Sequence, residues 1–276
     1  MRGDCPAEAA ACPGREAEAE DTTNYGEGGT VSVQQYDEIG EAFEGFKGLP
    51  LAQYGEVPSF LDMVGDVRGK TVLDLASGTG FYSREFKRRG AAEVLGIDIS
   101  GEMVAAARTF EERDPLGVRY EVGDVSQLRP LDAHFDIATG VQLLNYAKDI
   151  AAMEGMCRNV RRSLKTGGEF FVLAQTPDYR FDGPSLAKYG FLCEATGEEI
   201  ETGPRVRITA LLDPPISFVG ACPRREVYEQ CLRAAGFSEL TWVPLEVSEA
   251  GVRKFGPDFW ADLLANPPLE MLRCRA

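Results

Sequence analysis

The stretch TVLDLASGTG, residues 71–80, decides the fold of this chain. Its first half is a run of β-branched and aliphatic residues, which is typical of a strand buried on both faces of a parallel sheet. Its second half is a short loop with two glycines, and a helix is predicted over 81–89 because three basic residues suit its negative end and Gly90 suits a left-handed cap. Strand, glycine loop and helix in this order predict the first unit of a doubly wound α/β domain.

The alternation of strands and helices continues along the chain. Between residues 90 and 175 we predict strands over 93–97, 118–122, 135–138 and 169–173, and helices over 101–112 and 151–164. Helices of this length between strands give right-handed crossovers and a parallel sheet covered on both faces. Near the end of the chain we predict helix 224–235, strand 240–247, helix 258–265 and strand 269–273. The sequence therefore predicts a Rossmann-like, doubly wound sheet of seven strands.

Two additions flank this core. The first residues are rich in Ala and Glu without apolar periodicity, so they predict a mobile tail. Apolar residues at helical spacing then predict an N-terminal helical cap, and apolar segments between Pro and Gly turns after the core predict an antiparallel β lid insertion. A homo-oligomer that exchanges the N-terminal segments is compatible with this pattern, which does not demand one. The predicted boundaries are 1–22 for the tail, 23–68 for the cap, 69–175 for the core, 176–222 for the lid and 223–276 for the completion of the sheet.

Composition excludes several classes of function. The net charge is −15, with 44 acidic against 29 basic residues, so the chain lacks the basic footprint of a nucleic-acid binder. It has neither a run of about 18 apolar residues nor an apolar signal core, so we expect a cytoplasmic protein that does not bind membranes. Its seven cysteines form no C-x-x-C pair and accompany a single histidine, which predicts reduced thiols and no metal site.

Carboxylates after the strands indicate what the glycine loop binds. Gly78 and Gly80 allow backbone amides to approach a nucleotide closely. Asp98 ends the second strand, 18 residues beyond Gly80, where a carboxylate can accept hydrogen bonds from both ribose hydroxyls of an adenosine. Asp124 follows the third strand, where it can accept a hydrogen bond from the adenine amino group. Together these residues predict an adenosine-containing cofactor.

Details of the loop separate the adenosine cofactors. A dinucleotide site has the pattern G-x-G-x-x-G/A, but Ser83 stands at its last position. Asp74, four residues before the first loop glycine, would repel a pyrophosphate, whereas it suits the ammonium of S-adenosylmethionine, which carries no phosphate. S-adenosylmethionine is therefore favoured. A nicotinamide-dependent oxidoreductase is the second interpretation, and a non-catalytic binding module on the same fold is the third.

Five segments resemble, in order and spacing, the successive motifs of class I S-adenosylmethionine-dependent methyltransferases. They are VLDLASGTG (72–80), GIDIS (96–100) followed by Met103, VGDV (122–125), FDIA (135–138) and LKTGG (164–168). The resemblance implies that Ala76, Gly78 and Gly80 line the methionine portion of the cofactor, and that Asp98 holds the ribose. It further implies that Ile99 and Met103 flank the adenine and that Asp124 and Val125 meet its edge. Asp74 and Val141, at the end of the fourth strand, complete the predicted cofactor residues.

The flanking segments narrow the expected acceptor. YDEI (36–39), FEGF (43–46) and Asn145-Tyr146 are similar to small-molecule methyltransferases of bacterial natural-product pathways, such as the toxoflavin N-methyltransferase and teleocidin C-methyltransferase groups. His134 precedes the fourth strand and so lies at the edge of the sheet opposite the ligand edge. Because histidine is the usual base for O-methylation, we expect N- or C-methylation of a small-molecule substrate instead.

Two tyrosines are the predicted aromatic wall of the site. Tyr36 lies on the cap and Tyr179 just beyond the fifth strand. An aromatic face there would stabilise the sulfonium, or a cation that develops on the acceptor, by roughly 0.5–2 kcal/mol. We therefore predict a positioning role for both side chains.

Overall fold

The computed structural model describes residues 45–129 and 131–276. The predicted tail and residues 23–44 of the predicted cap, including Tyr36, lie outside the described residues. The described part of the cap contains a π-helical turn, Ala52–Glu56, and helix α1, Val57–Val64. Pro58 lies in the first turn of α1 and cannot donate to the Tyr54 carbonyl of the preceding turn, which accepts from the Ser248 amide at 2.7 Å instead.

Strands and helices alternate through the middle of the chain. The elements are β1 (Thr71–Leu75), α2 (Phe81–Arg88), β2 (Glu93–Asp98), α3 (Gly101–Arg113), β3 (Arg119–Val122), β4 (Phe135–Val141), α4 (Ile150–Ser163) and β5 (Leu164–Gln175). The remaining elements are β6 (Phe191–Ile200), β7 (Gly203–Ala210), β8 (Ile216–Ala221), α5 (Arg225–Ala234), β9 (Ser238–Pro244), α6 (Glu249–Phe255), α7 (Pro257–Ala265) and β10 (Leu269–Arg275).

Seven strands form one sheet in the order β3-β2-β1-β4-β5-β10-β9. The strands from β3 to β5 are parallel to their neighbours, whereas β10 is antiparallel to both β5 and β9. The prediction of a doubly wound, Rossmann-like sheet is confirmed. Strand order reverses between β1 and β4, so the connections after these two strands diverge and leave a crevice at their carboxyl ends.

The core has one apolar layer on each face of this sheet. On one face, Leu73 and Leu75 of β1 pack in a cluster with residues of α4 and α5. On the other, Val72 packs in a cluster with Phe60 of α1 and Phe86 of α2. Because β1 alternates between two buried faces, its four buried residues, 72–75, are apolar except for Asp74.

The second sheet is an antiparallel meander of β6, β7 and β8. The prediction of an antiparallel β insertion after the core is confirmed. A third apolar cluster joins this sheet to α7, and Trp260 of α7 stacks on Tyr189 with ring centroids 5.5 Å apart. The Trp260 indole N–H donates to the Gly251 carbonyl at 3.1 Å, so the buried ring keeps a polar partner.

Two local features differ from the sequence prediction. β5 begins at Leu164, because its pairing with β4 shifts between Phe135 and Ile137 and accommodates the LKTGG segment as a bulge. Gly167 adopts φ +77° there, which suits glycine. Helix α6 was not predicted. It is seven residues long, too short to show an apolar period, and it is capped by Ser248, which accepts a hydrogen bond from the Gly251 amide.

Candidate active site

The loop after β1 is shaped by left-handed backbone at three residues, Ala76 (φ +55°), Gly78 (φ +52°) and Gly80 (φ +82°). A Cβ on Gly80 would lie 2.2 Å from the Tyr120 hydroxyl oxygen, so only glycine fits at this position. The Ser77 amide donates to the Ile97 carbonyl at 3.1 Å. The loop is therefore held against the ends of β2 and β3.

Asp98 joins the two loops that border the crevice. Its Oδ2 accepts a hydrogen bond from the Gly78 amide at 2.8 Å, and its Oδ1 accepts one from the Ser100 amide at 2.9 Å. The side chain is buried. Each carboxylate oxygen has capacity for a further donor, so this group can hold two adjacent hydroxyls while it fixes the glycine loop.

Asp74 lies beneath the loop. Its carboxylate accepts hydrogen bonds from the Ser83 hydroxyl at 2.5 Å and the Thr139 hydroxyl at 2.8 Å, which ties β1 to α2 and β4. Burial raises the pKa of Asp74 to about 6, against the lowering effect of these two hydroxyls. Ser83, which breaks the dinucleotide pattern in the sequence, thus has a definite partner.

A cavity of about 280 Å³ opens at the carboxyl ends of β1, β2 and β4. Eight of the predicted cofactor residues lie along it: Ala76, Gly78, Asp98, Ile99, Met103, Asp124, Val125 and Val141. Asp124 also caps a short 3₁₀ turn, accepting from the Ser126 amide at 2.8 Å. Asp74 and Gly80 are not among the described residues that line the cavity, so their contact with a cofactor stays a prediction.

Of the two predicted tyrosines, the structure describes only Tyr179. Tyr36 lies outside the described residues. Tyr179 is not among the lining residues; it packs edge-on against Phe181, with ring centroids 5.2 Å apart, and desolvation raises its pKa to about 12. Its predicted role in positioning a substrate stays a prediction without support from its place in the fold.

The cofactor end of the cavity fits an adenosine without phosphates. The Ser77 hydroxyl lies there, buried and with no hydrogen-bond partner, and Ile99 leaves 46% of its surface exposed beside Asp98. An adenosine would supply polar atoms to the Ser77 hydroxyl and an apolar ring face to Ile99. Among the described lining residues Lys47 is the one basic side chain, and it is already paired with Glu56. The described lining residues therefore offer no unpaired basic side chain to a pyrophosphate.

Lys47, Glu56 and Tyr82 form a buried polar cluster at the cavity wall. Lys47 Nζ lies 2.5 Å from Glu56 Oε1, and the Tyr82 hydroxyl donates to the same oxygen at 2.8 Å. The Lys47 ammonium also lies 4.5 Å from the centroid of the Tyr82 ring. Burial and the Glu56 charge raise the pKa of Tyr82 well above its usual value, so its hydroxyl stays protonated.

The other end of the cavity is apolar and is built by the second sheet. Phe191 of β6, Val206 and Ile208 of β7, and Phe218 of β8 face it. Their alternation along the strands places them on one face of the sheet. Cys193 also lines this wall, and burial raises the pKa of its thiol to about 12, so it is neutral. The acceptor end therefore suits an uncharged, largely apolar molecule.

The residues predicted from the sequence lie along the cofactor end of the cavity, whereas most residues of the acceptor end were not predicted. Lys47, Glu56 and the inner face of the second sheet were not singled out. The sequence does not mark Phe191 and Phe218 as site residues, because aromatic residues are buried in any core. The alternation Val206, Ile208 was visible in the sequence, but it does not say what the apolar face covers.

His134 lies at the far edge of the sheet, as predicted. It is half exposed, and its Nε2 lies 2.9 Å from a carboxylate oxygen of Glu93. Within residues 45–129 and 131–276, no group of His, Cys, Asp and Glu side chains could hold a metal ion, and the five described cysteines are free. None of the helices described in the structure has the length and hydropathy to cross a membrane.

Comparison with known proteins identifies the family to which the core belongs. Residues 72–168 match the family model of the methyltransferase domain. The core is a class I methyltransferase domain. The resemblance drawn from the five sequence motifs is confirmed, and membership of this class implies S-adenosylmethionine as the cofactor.

Curated relatives match over little more than a third of this chain. The ubiquinone biosynthesis O-methyltransferase of Neisseria meningitidis serogroup C is 33% identical over 103 residues, which are 37% of this chain and 43% of the relative. The protein of the same name from Coxiella burnetii is 31% identical over 105 residues, 38% of this chain and 43% of the relative. The match thus spans less than half the length of these relatives.

Solved structures match over most of the chain and support the fold. An S-adenosylmethionine-dependent methyltransferase from Mesorhizobium loti has a TM-score of 0.59 at 23% identity, covering 84% of this chain and all of that one. The [4+2]-cyclase SpnF has a TM-score of 0.57 at 21% identity, covering 89% of this chain and 96% of that one. The same architecture thus occurs in proteins named for different reactions.

Proposed function

We propose that this protein transfers a methyl group from S-adenosylmethionine to a small, largely apolar acceptor, as enzymes of natural-product pathways do. One observation carries the proposal. A single cavity joins the glycine loop and Asp98 to the apolar inner face of β6, β7 and β8. A cofactor on the first wall and an acceptor on the second would meet inside the protein.

The protein contributes position and a dry environment. S-adenosylmethionine, when bound, would supply an electrophilic methyl group on a sulfonium. Asp98 and the glycine loop would fix one reactant, and Phe191, Ile208 and Phe218 would hold the other while they exclude water. Holding two reactants in line in this way is worth about 7–11 kcal/mol of barrier.

N- or C-methylation is favoured over base-assisted O-methylation. The only histidine in the chain, His134, lies at the opposite edge of the sheet. The Glu56 carboxylate at the cavity wall already accepts hydrogen bonds from Lys47 and Tyr82. The relatives from Neisseria and Coxiella are named O-methyltransferases, but their matches cover only 37% and 38% of this chain.

The net charge of −15 and the small apolar cavity support a small-molecule substrate rather than a nucleic acid. We also propose a cytoplasmic location, which agrees with the reduced state of the described cysteines.

Methyl transfer can be measured without knowing the acceptor. The full chain is incubated with S-adenosylmethionine labelled in the methyl group and an organic extract of the cells that carry its gene. We expect label in a compound of low molecular mass, and its loss with the variant Asp98→Asn. Label that enters nucleic acid or protein, or no transfer to any fraction, would contradict the proposal.

A further inference from the structure

Asn145 is a second polar feature of the cavity, and it belongs to the acceptor end. It follows β4 in the short 3₁₀ turn Leu144–Tyr146, at the carboxyl edge of the sheet. Only 3% of its surface is exposed, and it lines the cavity together with Phe218 and Gly220 of β8. Asn145 is therefore a buried carboxamide in a mostly apolar wall.

The Asn145 side chain lacks the partner that a buried amide normally has. Its Oδ1 has no hydrogen-bond partner in the described part of the chain. Asn266 is a useful comparison, because it is 4% exposed and its amide is satisfied at both ends by the backbone of Arg180, at 3.0 Å and 2.9 Å. An unsatisfied buried acceptor costs stability, so a ligand that supplies a donor would recover that cost.

The packing around Asn145 favours this use of the amide. A Cβ on Gly220 would lie 3.2 Å from Asn145 Nδ2, so the glycine makes room for the amide between the two sheets. The amide thus lies where the cofactor end meets the apolar face of the second sheet. A carboxamide neither gains nor loses a proton at neutral pH, so its contribution would be orientation and not proton transfer.

From these observations, and on the basis of the proposed function, we infer that Asn145 Oδ1 accepts a hydrogen bond from an N–H or O–H group of the acceptor. This contact selects acceptors with a donor-bearing heteroatom over hydrocarbons of the same shape. Because no histidine lies near the cavity to deprotonate a hydroxyl, the acceptor class that fits best is an apolar compound with an N–H group.

A pair of isosteric probes tests the inference. Indole and indene have nearly the same shape, but only indole carries an N–H donor. Each is titrated into the full chain saturated with S-adenosylhomocysteine, for the wild type and for Asn145→Leu and Asn145→Ala. We expect the preference of the wild type for indole over indene to fall about fivefold in both variants, which is the ratio given by one hydrogen bond of ordinary net strength. An unchanged preference in both variants would overturn the inference.

The melting temperature of the free protein provides a second readout. Asn145→Leu removes an unsatisfied acceptor, so we expect its melting temperature to equal or exceed that of the wild type. The matched control Asn266→Leu breaks two hydrogen bonds and should lower the melting temperature by about 3 °C or more. If Asn145→Leu and Asn145→Ala both lowered it as much as the control, Asn145 would be a structural residue and the inference would be wrong.

These outcomes separate the inference from the proposed function. If the wild type binds both probes with no dependence on Asn145, the apolar acceptor site stands and only the role of Asn145 fails. If the wild type binds neither probe, or does not bind S-adenosylhomocysteine, the proposed function itself fails and the inference falls with it.

Discussion

Asp74 is a buried acid beneath the glycine loop, and its hydrogen-bond partners define its role. In the sequence it is an acid next to a glycine loop, which favours the ammonium of a methionine group over a pyrophosphate. In the structure it is buried beneath the loop, and hydroxyls of Ser83 and Thr139 hold its carboxylate. Its visible role is to fasten β1 to the elements on either side.

The raised pKa of Asp74 leads to a prediction about stability and pH. The folded state binds this proton more tightly than the unfolded chain, because burial raises the pKa from 3.8 to about 6. The resulting stabilisation is present below the unfolded pKa and is lost as the pH rises through about 6. The free energy of unfolding of the wild type, relative to that of Asp74→Asn, should therefore rise by about 1 kcal/mol between pH 7.5 and pH 5.

Urea unfolding of both proteins at the two pH values measures this difference. Groups other than Asp74 titrate in both proteins, so their contributions cancel. A difference between wild type and variant that is independent of pH would show that Asp74 titrates in the folded protein as it does in the unfolded chain.

At the scale of elements, the Lys47–Glu56 pair lies within the cap, and Tyr82 joins it to the core. The two side chains are 15% and 13% exposed, and Tyr82 of α2 donates to the same Glu56 oxygen. Lys47→Met would leave the largely buried Glu56 carboxylate with one hydroxyl partner, at a cost of about 1–3 kcal/mol. The double variant Lys47→Met/Glu56→Gln removes both charges and should regain much of that loss.

A double-mutant cycle in urea unfolding checks this coupling. The matched control is Arg68→Met with Asp66→Asn, an exposed pair that should couple weakly. If the unfolding free-energy costs of the Lys47 and Glu56 substitutions are additive, the two side chains are not coupled.

The inner face of the second sheet should bind the apolar part of the acceptor, and substitutions on its two faces test this. Ile208 and Thr209 are neighbours on β7, but Ile208 lines the cavity, whereas the Thr209 hydroxyl pairs with Ser217 on the other face. Ile208→Asp would place a charge in an apolar wall and should weaken binding of indene at least about tenfold. Thr209→Asp should leave it unchanged.

Affinity for S-adenosylhomocysteine is the internal standard of this experiment. It should stay within about twofold of the wild type in both variants, because both changes lie on the second sheet and away from the cofactor end. Equal loss of indene binding in the two variants would mean that the inner face of the second sheet is not the acceptor wall.

Over the whole molecule, the cofactor half was much easier to predict than the acceptor half. The cofactor contacts come from short segments at the ends of consecutive strands, so their order and spacing are visible in the sequence. The acceptor wall brings together residues about 170 positions apart, such as Phe46 and Phe218, whose ring centroids lie 5.6 Å apart. Their juxtaposition depends on where the second sheet packs, and local periodicity cannot give that.

The same contrast explains the errors in the elements. The seven-stranded sheet followed from buried apolar runs and helical crossovers. The bulge at the start of β5 and helix α6 depend instead on pairing register and on a single cap, which leave little pattern in the sequence.

We expect the cavity beside Asp98 to bind S-adenosylmethionine and not a dinucleotide. Calorimetric titration of the full chain with S-adenosylhomocysteine, and separately with NADH, tests it most directly. We predict saturable one-to-one binding of S-adenosylhomocysteine, no binding of NADH, and at least about tenfold weaker binding by Asp98→Asn, with Asp66→Asn as the unaffected surface control. Binding of NADH, or failure of the wild type to bind S-adenosylhomocysteine, would contradict the account.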